Sequence, residues 1–410
     1  MQESSSSAPA EGVAAYIGID WADQKHDVIL RAASEPAKVE HRRIAHEPEA
    51  LMEWLGELQQ RFAGKGKILV SLEQSRGALI YHLMGYEFLE LYPINPSQLA
   101  SFRQTFSPGG AKDDRPDAEL ICELLYCHRD RLKAWKPDDE LTRKLAFLNE
   151  GRRKAVDQRT QLANEIKSQL KVYFPLALQV LDNDCLTALA ADLLLQSPTL
   201  DSLQKQSAHK LRKFKAAKPL TRDLAVIEAA ALRVQLLAQQ LKSLLPYIAR
   251  YEKQIAELFD AHPDSFLFRD LPGAGSAMGP RLLTAFGTDR KRFEHSMEIS
   301  SLSGVGPVRR ASGKKSGKHA TVHFRNACPK FLRQSFHEFA ACSIRYCSWA
   351  EACYQTQRNR GKGHHAAVRA VAFKWIRILF ACWKQRVPYD PQRYQQTLQT
   401  RGSEYAKITA

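Results

Sequence analysis

The chain of 410 residues has no CxxC pair among its eight cysteines, no apolar run expected to span a membrane, and no charged-then-apolar leader at its N-terminus. Without paired ligands, Cys342, Cys347 and Cys353 suit neither a zinc ribbon nor a finger. The cysteines are expected to be reduced core thiols of a cytoplasmic protein with no membrane partner. Acids are missing from one long segment. Across residues 299–389, seventeen lysines and arginines face two carboxylates, Glu338 and Glu351. That segment carries +15 of the chain's net +16. A solvated basic surface ordinarily interleaves acids, so a face this one-sided is the footprint of a polyanion, above all nucleic acid. With 44% hydrophobic and 25% charged residues, the chain has material for the cores of two or three domains. Residues 1–12, with four consecutive serines, read as a disordered tail.

What is present begins with an α/β alternation. Residues 14–20 form an apolar run ending in an acid, and 27–32 and 39–45 follow at hairpin spacing, giving three strands. Residues 48–62 carry Leu51, Trp54, Leu55 and Leu58 at helical intervals, and 67–72 is a fourth strand entering Glu73. A helix at 79–84, a strand at 88–92, a helix at 96–106 and a closing helix at 120–126 follow. The order β-β-β-α-β-α-β-α matches an RNase H-like fold.

In that domain Asp113, Asp114, Asp117 and Glu119 crowd just before the closing helix, with Pro116 suited to its first turn. Asp114 and Asp117, three apart, share a helix face. Acids at a helix start are favoured by the macrodipole, so this stretch alone reads first as a helix start. Asp20, ending the first strand, and Glu73, ending the fourth, change that reading. Like charges gathered from distant sequence are costly unless a cation neutralises them. Asp20, Glu73, Asp114 and Asp117 are therefore read as oxygen ligands of Mg²⁺ or Mn²⁺ acting on a phosphodiester. Gly18-Ile19-Asp20 also opens the first strand of actin-like sugar kinases. Here Trp21, Ala22, Asp23 and Gln24 replace the small residues that would cradle phosphate, and no glycine-rich phosphate loop follows.

Residues 141–174 lack proline and space Leu145, Leu148, Val156, Leu162, Ile166 and Leu170 as a helix does. Residues 221–259 repeat the character, with a kink or break expected at Pro246. Two long antiparallel helices of one chain, or coiled-coil arms from two subunits, satisfy these faces equally. Residues 181–218 between them read as shorter helices and a basic loop.

Further on, residues 271–279 (LPGAGSAMG) precede a helix and resemble the turn of a helix-hairpin-helix module. Gly273 and Gly275 would let backbone N–H groups meet a phosphate, a plain turn being the equal alternative. Residues 302–318 then join glycines to Arg309, Arg310, Lys314, Lys315 and Lys318, which supply charge for phosphates. Ser312 lies among them. By residue chemistry alone it is a phosphate-contacting or solvated serine, because a hydroxyl needs a base, a metal or cations to become a nucleophile.

As an ordered set these elements resemble the DEDD-type transposases of bacterial insertion sequences, the IS one-ten group with its Piv-type DNA invertases. The resemblance spans residues 17–388. It rests on Gly18-Ile19-Asp20, Glu73, residues 112–118 (KDDRPDA), 271–275 (LPGAG) and Gly306-Pro307 leading to Ser312-Gly313-Lys314. It implies a RuvC-like nuclease domain at 13–137, a helical coiled-coil domain at 138–262, a basic transposase domain at 263–390 and a tail at 391–410. It further implies that Asp20, Glu73, Asp114 and Asp117 hold the metal and that Ser312 forms a phosphoserine link to DNA. Implied partners are donor and target DNA, a structured bridge RNA pairing with both, and further copies of the chain as a dimer or tetramer, in a bacterial, nucleoid-associated setting. Asp113 stands where the family usually has Thr or Ser, and the spacing to Asp117 favours Asp114 as the ligand. A junction resolvase or nuclease using metal-bound water would need the acids but not Ser312. A nucleic-acid-binding regulator would need neither.

Overall fold

The computed structural model describes residues 12–73, 76–106, 117–206, 216–310, 321–323, 325 and 327–406. The expected N-terminal tail up to residue 11, the stretch with Asp113 and Asp114, and the loop with Ser312, Lys314, Lys315 and Lys318 lie outside the described residues. The chain divides into two units, Met1–Pro137 and Asp138–Ala410.

In the first unit β1 (Val13–Asp20), β2 (Lys25–Ala32) and β3 (Val39–Ala45) form an antiparallel meander. After α1 (Pro48–Arg61), β4 (Lys67–Leu72) pairs parallel to β1. Then come α2 (Ala78–Leu83), β5 (Leu89–Pro93), parallel to β4, α3 (Pro96–Phe106) and α4 (Asp117–His128). The five-stranded sheet has the order β3-β2-β1-β4-β5. β1 and β4 are covered on both faces, which is why they read as nearly unbroken apolar runs. Ile17, Ile19, Ile68, Val70 and Leu72 share a core with Trp54, Leu55 and Leu58 of α1. Tyr16 and Leu69, on the opposite face, pack with Ala118, Cys122 and Leu125 of α4. Edge strand β3 is blunted by charge: Arg42 pairs with Glu57, and Arg61 with Glu40.

The second unit is built on two long helices, α5 (Glu140–Tyr173) and α9 (Leu224–Ala261). Asp139 caps α5 by accepting from the Thr142 N–H at 2.9 Å, and Asp223 caps α9. Between them lie α6 (Leu176–Val180), α7 (Ala188–Gln196) and α8 (Leu200–Gln204). Leu162, Ile166 and Leu170 meet Val234, Leu237 and Leu241 in a core shared with α7. The helix does not break at Pro246. That residue is exposed, so water can satisfy the carbonyl it leaves unpaired, and the helix continues past it. Among the described residues α9 is also the one helix long and apolar enough to cross a membrane, which corrects the expectation that no run reaches that length. Counting unbroken apolar residues missed it, because Glu228 and Arg233 interrupt the run without lowering its mean hydropathy enough.

The remainder is α10 (Gly275–Phe286), α11 (Ser296–Leu302), the short strands β6 (Val308–Arg310) and β7 (Thr321–His323), α12 (Lys330–Ser343), α13 (Ser348–Asn359), α14 (His364–Gln385) and α15 (Pro391–Thr400). Their core joins Leu145 of α5 and Phe259 of α9 to Phe336, Phe339 and the buried Trp349, Trp375 and Trp383. The segment set off in the sequence as a tail carries α15. Asp390 caps it, and Tyr394 and Leu398, one turn apart, pack on that core.

Candidate active site

β1 and β4 run side by side in the same direction, and Ile19 pairs with Leu72. The next residue on each chain, Asp20 and Glu73, therefore emerges at one edge of the sheet. A third acid arrives through a glycine. A Cβ on Gly18 would stand 2.2 Å from the Ala118 carbonyl oxygen and 2.4 Å from the Cys122 nitrogen. Only a bare Cα lets the backbone of α4 lie directly on β1. Asp117, immediately before Ala118, starts that helix and so overlooks the end of β1.

The electrostatics record the crowding. The Asp20 carboxyl is pushed above the usual carboxylate range, first by burial and then by the charges of Asp117, Asp27 and Glu73, with Arg103 opposing. Arg103 of α3 holds Asp117, Nη2 to Oδ1, at 2.5 Å. Asp27 faces Asp20 across the β1–β2 hairpin. Partial burial raises the Asp27 pKa, but the hydrogen bonds from Arg43 at 3.0 Å and His41 at 2.8 Å prevail and hold it low. The turn after Asp20 is pinned as well. The Ala22 N–H donates to Nδ1 of buried His26 at 3.3 Å, so His26 Nε2 carries its proton toward His46 Nδ1, 2.9 Å away.

This donor set is oxygen only, which suits Mg²⁺ or Mn²⁺, and the Asp20 carboxyl, raised first by burial and then by neighbouring acids, is one whose ionised form a cation would favour. The chemistry of the residues present fits a hard divalent cation. Among the described residues, no three acid, histidine or cysteine side chains stand close enough together to hold an ion, so Asp20, Glu73 and Asp117 do not make a site by themselves, and Asp114 lies outside the described residues. Asp27 and Arg103 belong to this neighbourhood and were not singled out in the sequence. Counting the hairpin register back from Asp20 would have found Asp27. Arg103, on a separate helix, left no signal.

In the second unit β6 and β7 pair antiparallel, Arg309 opposite Val322 and Arg310 opposite Thr321. They flank residues 311–320, which with Ser312 and its lysines lie outside the described residues. The two glycines of the turn before α10 differ. Gly273, at φ +79°, presses on α12, where a Cβ would come within 2.8 Å of the Cys342 carbonyl carbon. Gly275, at φ +52°, opens onto free space at the first turn of α10. Packing thus requires Gly273 as glycine whatever it binds.

An α/β sheet bearing acids at its carboxyl edge, followed by a helical unit, has the build of a DEDD transposase domain. A family model described as "Transposase", of the DEDD IS110 type, matches residues 17–175, and a second, "Transposase IS116/IS110/IS902 family", matches residues 266–355. The chain is 26% identical over 409 residues to the candidate transposase of the IS117 mini-circle in Streptomyces coelicolor, covering 93% of this chain and 97% of that one. It is 31% identical over 233 residues to the candidate transposase y4uE of Sinorhizobium fredii, covering 53% and 63% of the two chains. With the uncharacterised 42 kDa protein of insertion element IS900 in Mycobacterium paratuberculosis it shares 26% identity over 395 residues, 92% and 97% of the two chains. The chain belongs to the IS110 family of transposases.

Proposed function

We propose that this transposase cuts and rejoins DNA through a phosphoserine intermediate formed by Ser312, with the acids of an RNase H-like first unit serving the same phosphate. The single observation that supports the reading is the approach of Glu73 and Asp117 to Asp20, whose carboxyl is pushed up by burial and then by neighbouring acids, these two among them. Held by these three residues and Asp114, Mg²⁺ or Mn²⁺ would supply Lewis-acid polarisation of the scissile phosphate. Ser312 Oγ forms a bond to phosphorus as the bond to the leaving deoxyribose oxygen breaks. The serine proton passes to solvent, and the leaving oxygen takes one up. The phosphodiester energy is conserved in the serine ester, so the reverse step rejoins strands without another energy source. Arg309, Arg310, Lys314, Lys315 and Lys318 hold the sugar–phosphate backbone around the serine, and the turn at Gly275 offers N–H groups to a phosphate. The α5–α9 pair serves as a coiled-coil arm for assembly into a dimer or tetramer. The guide is a bridge RNA, for which the basic segment provides the charge.

The test is a denaturing gel for a covalent protein–DNA adduct, from cells carrying the chain with its native flanking DNA. An adduct is expected with wild type and absent with Ser312→Ala and with Asp20→Ala. Cleavage that survives Ser312→Ala without any adduct would replace this reading with a nuclease that uses water as nucleophile.

A further inference from the structure

The basic charge of the second unit is not confined to the serine loop. A cavity of about 880 Å³ opens between the C-terminal half of α14 and α15. Its floor is apolar and aromatic, with Leu398 buried and Tyr389 and Tyr394 half-buried at ring centroids 6.1 Å apart. Arg377 of α14, Arg393 of α15 and Arg401 just beyond it line the opening and are exposed. None of the three guanidinium groups has an ion-pair or hydrogen-bonding partner among the described residues. The one carboxylate at the cavity, Asp390, is spent as the cap of α15, accepting from the N–H groups of Gln392 at 2.8 Å and Arg393 at 3.0 Å. Lys374 adds a fourth cation, set over the Tyr405 ring at 4.2 Å.

Such an arrangement has no structural use for its arginines. Neighbouring like charges repel, and two other arginines that border this core, Arg281 and Arg290, are tied to Glu338 and Asp264. Three unpaired planar forks around an apolar floor match a ligand with a phosphate backbone and flat apolar faces. The cavity's volume is that of a pocket, within the range that admits small ligands and too small to take in a duplex, whose phosphates lie on the outside of a rod. We propose that this cavity binds single-stranded nucleic acid, its phosphates on Arg377, Arg393 and Arg401 and a base entering over Tyr389 and Tyr394. The site rests on the nucleic-acid reading of the protein but not on Ser312 chemistry, so it survives a failed adduct assay.

The experiment measures anisotropy of labelled single-stranded RNA, single-stranded DNA of the same sequence, and the matching DNA duplex, with the full-length chain across a salt series. The variant Arg377→Gln/Arg393→Gln/Arg401→Gln changes exposed side chains, and its melting curve should overlay that of wild type. Single-strand affinity is expected to fall about tenfold or more, with the slope of log K against log salt shallower by about 2, while duplex affinity holds within about twofold. A loss confined to RNA, confined to single-stranded DNA, or common to both supports the site and names its source. Unchanged single-strand binding, or equal loss with duplex, overturns it. As a second readout, ultraviolet crosslinking of a thio-substituted strand should mark the peptide with Tyr389 or Tyr394, and crosslinks only elsewhere would also overturn it.

Discussion

At the scale of single residues, Asp20 concentrates the argument. Its carboxyl is shifted upward by burial and then by Asp117, Asp27 and Glu73, so its ionised form is disfavoured in the fold relative to the unfolded chain. The sign follows from linkage. For an acid raised in this way the folded state binds the extra proton, so the penalty is present at neutral pH and is relieved as pH falls through the shifted value. Asp20→Asn in chelator should therefore raise the melting temperature of the first unit at neutral pH by about 2 °C or more, and the gap to wild type should close on acidification. Melts from pH 8 to pH 5 check this. A variant that is less stable at every pH would mean that Asp20 is a structural residue rather than a strained ligand.

At the scale of elements, the sheet and its helices were legible because each has a short-range cause. Hairpin spacing after β2 set β3, an unbroken apolar run set β1 and β4, and the 3.6-residue stripe Leu51, Trp54, Leu55, Leu58 set α1. Asp20, Glu73 and Asp117 were legible because each sits at the end of such an element. What could not be read is what depends on elements meeting. That α9 runs on past Pro246 has no signal in its own sequence, and the ties of Asp117 to Arg103 and of Asp27 to Arg43 depend on contacts between elements. The motif Gly18-Ile19-Asp20 looked like a strand signature, yet Gly18 is glycine because α4 rests on it. Gly18→Ala should cost the first unit about 3 kcal/mol, since backbone and not a flexible side chain blocks the new methyl. Gly56→Ala, inside α1 with open space around it, should stabilise by roughly 0.5–1 kcal/mol. Hydrogen exchange at the amides of β1 and α4 reads the first effect locally, without assuming that the whole chain unfolds in one step. Equal, small effects of the two substitutions would remove the close approach of α4 from the account of the site.

For the whole molecule, the division of labour lies in charge. Carboxylates gather in the first unit, while +15 lies within residues 299–389 of the second, where only Glu338 and Glu351 oppose it. Glu338 is itself consumed by Arg153 and Arg281, so it does little to temper the field outside. Nucleic-acid binding by the full chain should then be dominated by counterion release and weaken linearly in log salt. The two basic places separate by the form of nucleic acid they take. If the loop around Ser312 holds duplex backbone, Lys314→Gln, Lys315→Gln and Lys318→Gln together should make the duplex salt slope shallower by roughly 3, about 0.9 for each phosphate that no lysine neutralises any longer. The α14–α15 arginine variant should leave that slope where it is, because duplex cannot enter its cavity. Anisotropy on one duplex with wild type and both variants decides the matter. A duplex slope indifferent to the three lysines would take the serine loop off the DNA backbone, and with it the delivery of Ser312 to a phosphate.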